Sequence, residues 1–97
     1  MSRSLIYSGR FTRALKRFLK RQPGLAEAVG ASLALLSEDM FDPSLRSHKL
    51  KGTMAGSWAC SGGFDLRITF ALVRQPGSDA ELILLEGIGT HEDVYGQ

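Results

Sequence analysis

The stretch "FDLRITFALV", residues 64–73, sorts its side chains by parity. Successive side chains of a strand point to opposite faces, so Leu66, Ile68, Phe70 and Leu72 face one way and Asp65, Arg67 and Thr69 the other. On that reading the strand has a dry face for the core and a partly polar face. Asp65 and Arg67 share the polar face with Cα atoms about 7 Å apart.

Turn-forming residues bracket this strand, "SGG" at 61–63 and "QPGSD" at 75–79, and a further β-rich run lies beyond each, "SWAC" (57–60) and "ELILLEGI" (81–88). Three strands in an antiparallel meander are predicted. Upstream, "SLIYS" (4–8) suits a first strand that leads into a helix. In "RFTRALKRFLKR" (10–21) the apolar residues Phe11, Ala14, Leu15, Phe18 and Leu19 fall at i, i+3, i+4, i+7 and i+8, one stripe of an amphipathic helix. Pro23-Gly24 breaks it, and Leu25, Val29, Leu33, Leu36 and Met40 repeat the spacing as a second helix. Asp42-Pro43 ends that helix, since the residue before proline is pushed out of the α region, and "SLRSHKLKGTMAG" (44–56) follows as a polar connection.

The predicted class is therefore α/β of the α+β kind: an N-terminal strand and two helices packed on a small, mainly antiparallel sheet. With 97 residues, 43% of them hydrophobic and 23% charged, residues 1–97 are expected to form a single domain with one core. The lone Cys60 excludes an intramolecular disulfide and a multi-cysteine zinc site, and its place on a strand predicts a packed thiol rather than a nucleophile. Trp58 and Phe64 are expected in the core. No secretory signal or membrane-length apolar run is seen, so a cytoplasmic protein without a membrane partner is expected.

Two features point to chemistry. The net charge is only +2, yet Arg10, Arg13, Lys16, Arg17, Lys20 and Arg21 put six cations on the polar side of the first helix, either a solvated face or a contact for a polyanion. Second, adjacent strands could bring both histidines, His48 and His91, to the surface that carries Asp65 and Arg67. Two histidines and a carboxylate serve acid–base chemistry near neutral pH, and arginine stabilises charge on a phosphoryl group. RNA cleavage fits this set, because RNA brings its own nucleophile, the 2′-hydroxyl. No metal is required for it, and no histidine pair at i, i+4 suggests one. Gly87 and Gly89 are expected to act as a hinge that lets the chain turn and aim His91 at the polar face.

The runs "FDPSLRSHKLKGTMAGSWACSGGFDLRITF" (41–70) and "LILLEGIGTHEDVY" (82–95) resemble the RelE/ParE superfamily of bacterial toxins, in particular its YafQ-like messenger-RNA interferases. The resemblance carries "HKLKG", "DLRITF" and "GTHEDVY" in order, in detail through the second half of the chain and in outline through the first. It implies the toxin of a type II toxin–antitoxin pair, cutting messenger RNA in the ribosomal A site with no metal or other cofactor. Its partners would be a cognate antitoxin, the ribosome and messenger RNA.

By the same resemblance, His91 matches the acid–base histidine of "GTH", His48 the histidine two residues before "LKG", Asp65 an acidic site position and Arg67 a phosphate-facing arginine. Lys49 or Lys51 would assist Arg67, and Tyr95 matches a C-terminal aromatic that could stack on a base. The basic helix face would rest on ribosomal RNA or on an acidic antitoxin. One departure stands out: some YafQ-like proteins have a further histidine on the hairpin before the acid, where "CSGGFD" (60–65) has none and Ser61 takes the place. His48 and His91 are then left to share the proton transfers or to rely on a substrate-bound or ribosomal group. The alternatives are a ParE-like gyrase inhibitor, which needs no acid–base histidines, and an inactive binding member of the same fold.

Overall fold

Ser8 starts the first helix and ties it to the sheet. Its hydroxyl oxygen accepts from the Phe11 amide at 3.0 Å, capping helix α1 (Gly9–Arg21), and its O–H donates to the Leu85 carbonyl at 2.7 Å. Along α1 the predicted stripe holds: Phe11 and Phe18 are fully buried, while the six cations are exposed. Lys20 and Arg21 also occupy the last turn, where the negative end of the helix dipole favours them. A 3-10 turn over Pro23–Leu25 leads into α2 (Ala26–Glu38), which buries Val29, Ser32, Leu33 and Leu36. The helix stops at Glu38, and Met40, the last residue of the stripe, completes the core from the turn beyond it.

The computed structural model describes residues 2–63 and 65–90, so Phe64, His91 and Tyr95 lie outside the described residues. Five strands form one sheet in the order β1-β5-β4-β3-β2: β1 (Leu5–Tyr7), β2 (His48–Lys49), β3 (Trp58–Ser61), β4 (Arg67–Arg74) and β5 (Glu81–Gly89). The expected meander is β3-β4-β5. β1 lies parallel to β5, and the first and last described strands are thus neighbours. The stretch 44–56, expected as a connection, contributes the short edge strand β2, with His48 opposite Ala59 and Lys49 opposite Trp58.

Ile68 and Phe70 of β4, Cys60 of β3, and Ile83, Leu85 and Ile88 of β5 meet Phe11, Phe18, Val29, Leu33 and Leu36 of the helices in one core. Trp58 is half-buried, stacked on Phe70 with ring centroids 6.2 Å apart. The other sheet face carries His48, Ala59, Ser61, Arg67 and Thr69, by register and alternation.

Two expectations are corrected. Asp65 is not a strand residue: it sits in the turn before β4 with φ of 64°, and the strand starts at Arg67. Gly87 and Gly89 are not a hinge either. Both are paired within β5, opposite Thr69 and Arg67, and neither has a positive φ. What Gly87 supplies is space, because a Cβ there would lie 2.9 Å from the Thr69 hydroxyl.

Ser8 caps one element and anchors another, so Ser8→Ala is expected to cost about 1–2 kcal/mol, the upper part of the range for a lost N-cap. Ser8→Thr should retain most of it. Urea denaturation of the two variants against the unmodified protein checks this, and equal midpoints for all three would refute it.

Candidate functional site

Three expected residues, His48, Asp65 and Arg67, can be placed on the second sheet face or beside it. Asp65 and Arg67 line one open depression of about 300 Å³ together with Ser44, Arg46, Ser61 and Gly63. The sharing predicted from strand alternation is real, but a turn produces it. "SGG" and Asp65 loop back on β4, with the Gly62 amide donating to the Leu66 carbonyl at 3.0 Å and the Leu66 amide to the Gly63 carbonyl at 2.7 Å. Gly62 has to be glycine for its neighbours: a Cβ would run into the Ser32 hydroxyl and the Leu66 side chain.

Arg46 enters from the other side. Asp42 caps the 3-10 turn Pro43–Leu45, accepting from the Ser44 amide at 2.9 Å and from its hydroxyl at 2.7 Å, and those two bonds hold the Asp42 carboxyl below its usual pKa. Arg46 then takes the left-handed conformation, φ of 51°. Among the described residues, Arg46 and Asp65 are the non-glycine residues with positive φ, and both line the same depression. Such conformations cost free energy and persist where the surroundings impose them, often at functional sites. Among the described residues the lining has two arginines and one aspartate, a formal net charge of +1 that matches one phosphodiester.

His48 stands on the neighbouring edge strand, exposed, with Nδ1 2.9 Å from the Arg46 carbonyl. A carbonyl only accepts, so Nδ1 carries the hydrogen; in the neutral ring Nε2 then holds the lone pair that takes up a proton. By register His48 is two strands from Arg67 and two residues along, a Cα separation of roughly 12 Å. That gap is wide enough for a nucleotide between the two side chains. The Arg67 Nη1 donates to the Leu66 carbonyl at 3.1 Å, which turns the guanidinium back along its own strand.

The remaining expected residues are placed elsewhere. Lys49 follows His48 on the strand and so faces the opposite way, its ammonium 5.7 Å from the Trp58 ring centroid. Lys51 is exposed just beyond β2. The six cations of α1 belong to the helix layer, on the other side of the sheet from His48. His91 and Tyr95 lie outside the described residues. Burial pushes the Cys60 thiol up to about 12, so it stays protonated at neutral pH, a packed side chain as expected. Among the described residues no three His, Cys, Asp or Glu side chains cluster in a way that could hold a metal ion.

The sequence reading missed Arg46 and Ser44. Asp42-Pro43 was legible as a stop, and the turn it caps could have been read from Asx chemistry. Nothing in the sequence marks an arginine for the left-handed region.

No protein-family model matches the chain, and no curated protein sequence matches it. Its fold does match solved structures. YafQ from E. coli superimposes with a TM-score of 0.75 at 20% identity, over 97% of this chain and 99% of that one. YafQ in the E. coli DinJ–YafQ toxin–antitoxin complex gives 0.73 at 20% identity, over 99% and 100%. The toxin–antitoxin complex RelBE2 of Mycobacterium tuberculosis gives 0.68 at 14% identity, over 94% and 100%. The chain has the α+β fold of the RelE and YafQ toxins.

At φ of 64°, position 65 tolerates glycine better than any β-branched residue. Asp65→Val is expected to lower stability by about 1–3 kcal/mol, and Asp65→Gly to stay within about 1 kcal/mol of the unmodified protein. Urea titration separates the two. Equal loss in both variants would mean that the carboxylate, rather than the backbone, stabilises the turn.

Proposed function

We propose that this chain is the toxin of a type II toxin–antitoxin pair, an endoribonuclease that cuts messenger RNA on the ribosome. The observation that carries the reading is the bond from His48 Nδ1 to the carbonyl of Arg46, which leaves Nε2 as the basic nitrogen of a ring tied to Arg46, whose side chain lines the depression with Arg67. A positioned base beside cations is what cleavage through the 2′-hydroxyl needs. The shared fold with toxins solved alone and in toxin–antitoxin complexes supports the same reading.

In the proposed reaction the scissile phosphate rests between Arg67 and Arg46. His48 Nε2 takes the proton of the 2′-hydroxyl as that oxygen attacks the adjacent phosphorus. The new bond is O2′–P and the broken one is P–O5′, giving a 2′,3′-cyclic phosphate and a 5′-hydroxyl. His91 is assigned the proton delivered to the leaving 5′-oxygen, and Asp65 the orientation of the imidazoles. Arg67 and Arg46 neutralise charge that grows on the non-bridging oxygens, where fixed cations are worth more than in water. Their chemistry asks for no metal ion.

The basic face of α1 suits ribosomal RNA phosphates or an acidic antitoxin that folds on binding, two partners that would compete for it. No described helix is long and apolar enough to cross a membrane. A toxin acting on ribosomes works in the cytoplasm, and that location is part of the proposal.

Messenger-RNA 5′-ends mapped in a translating extract should show codon-phased cuts with the unmodified protein. Cuts are expected to fall about 10²-fold or more for His48→Ala and for His91→Ala, and clearly for Arg67→Ala. Intact transcripts combined with arrested DNA supercoiling would replace this reading with the gyrase-inhibitor one.

A further inference from the structure

A second cavity adjoins the first and remains unassigned by the proposed reaction. It measures about 290 Å³ and is lined by Ala31, Ser32 and Leu35 of α2, Ser44 and Leu45 of the 3-10 turn, and Ser61, Gly62 and Gly63 at the end of β3. Ser44, Ser61 and Gly63 line both cavities, which makes them two compartments of one depression. The arginine-bearing compartment is charged. The other presents leucine walls and hydroxyls, and among the described residues no charged side chain lines it.

That pairing matches a nucleotide, with a phosphate that positions and a base that specifies. Sequence-selective proteins take single-stranded RNA by splaying a base out, packing its faces and hydrogen-bonding its edge. A volume of about 290 Å³ lies at the small end of ligand cavities, typically about 300–1,000 Å³, and suits one base rather than two.

Ser44 gives the compartment a polarity. A serine hydroxyl can donate one hydrogen and accept through two lone pairs. Here the hydrogen is committed to Asp42 Oδ1 at 2.7 Å. Asp42 stays ionised through neutral pH, since its bonds from Ser44 lower its pKa, and so it can only accept. What the Ser44 oxygen offers an occupant is therefore an acceptor, and an acceptor calls for a donor. Adenine, cytosine and guanine each carry an exocyclic amino group, whereas uracil has none and its one ring donor, N3–H, lies between two carbonyl oxygens that an acceptor repels.

We propose that the cavity between α2 and the end of β3 seats one nucleobase that flanks the scissile phosphate, with Ser44 selecting a base that carries an exocyclic amino group. The inference rests on the ribonuclease reading for its biological meaning, but binding tests it separately. Ser44 is a specificity-determining residue here, and Ala31 and Leu35 set the width of the seat.

The test titrates the full chain with adenosine 3′-monophosphate and with uridine 3′-monophosphate, following backbone amide resonances. Shifts are expected at Ala31, Ser44 and Gly62, with the adenosine nucleotide bound about fivefold more tightly, the worth of one ordinary hydrogen bond. Ser44→Ala should bring the two affinities together, mainly by weakening the adenosine nucleotide. Ala31→Leu, a substitution at an exposed position that suits a helix, should weaken the adenosine nucleotide several-fold while the rest of the spectrum keeps its dispersion.

Equal affinities in the unmodified protein, or shifts confined to Arg46 and Arg67, overturn the inference whatever the cleavage assay gives. Selective binding without any cleavage in extract would leave the base seat standing and remove the ribonuclease reading instead. Where cleavage occurs, the bias against uracil beside the cut must fall with Ser44→Ala; an unchanged bias also overturns the inference.

Discussion

The two faces of the sheet are kept apart by a single extra residue, Glu86. Between β4 and β5 the register passes from Thr69 opposite Gly87 to Phe70 opposite Leu85, so Glu86 has no partner across the ladder. A bulge of this kind reverses side-chain parity beyond it. Leu85 and Ile88, three residues apart, consequently both reach the core, where regular alternation would put one of them on the opposite face. The same reversal sets Gly89 opposite Arg67 on the face away from the helices. Glu86 itself accepts from the Ser57 hydroxyl at 2.8 Å, which ties the bulge to the residue just before β3. Gly87 next to it leaves room for the Thr69 side chain.

This constraint explains what was legible in the sequence and what was not. The alternation of Leu66, Ile68 and Phe70 states the core face of β4 outright, and all three are fully buried. The stripe of α1 is equally plain, because a helix that packs on one side needs only its own periodicity. The bulge is different. "LILLEGI" shows no alternation that marks a bulge, and only the partner strand shows where a residue is left over. β2 is two residues long and both are exposed, so it carries no burial pattern to read; pairing with β3 alone defines it. The parallel placement of β1 beside β5 joins residues nearly eighty positions apart, beyond any local signal.

The candidate site follows the same division. His48 and Arg67 stood out by residue type, and the register brings them to one face. Asp65 was expected on the strand and lies in the turn before it: aspartate tolerates the left-handed region, and the turn uses that tolerance to swing it off the strand beside Arg67. Arg46 was invisible because its place depends on a neighbour's cap, the Asp42 carboxylate holding Ser44. Its carbonyl fixes the tautomer of His48 and its side chain lines the depression, so one unfavourable φ sets both the imidazole and the guanidinium.

The arrangement also limits how charge can act. The six cations of α1 lie in the helix layer over β5, whereas the depression opens at the far end of the sheet, by β3 and the turn before β4. At physiological salt the Debye length is about 8 Å, so cations across the thickness of the sheet add little to the field at Arg67. Among the described residues, the cations that a mononucleotide in the depression meets are Arg46 and Arg67. Only a body large enough to reach around the molecule engages both regions; under the proposed function α1 would supply affinity that falls with salt, and the depression position. Affinity and chemistry are thus physically separate here: the helix can be neutralised without disturbing the bond between His48 and Arg46.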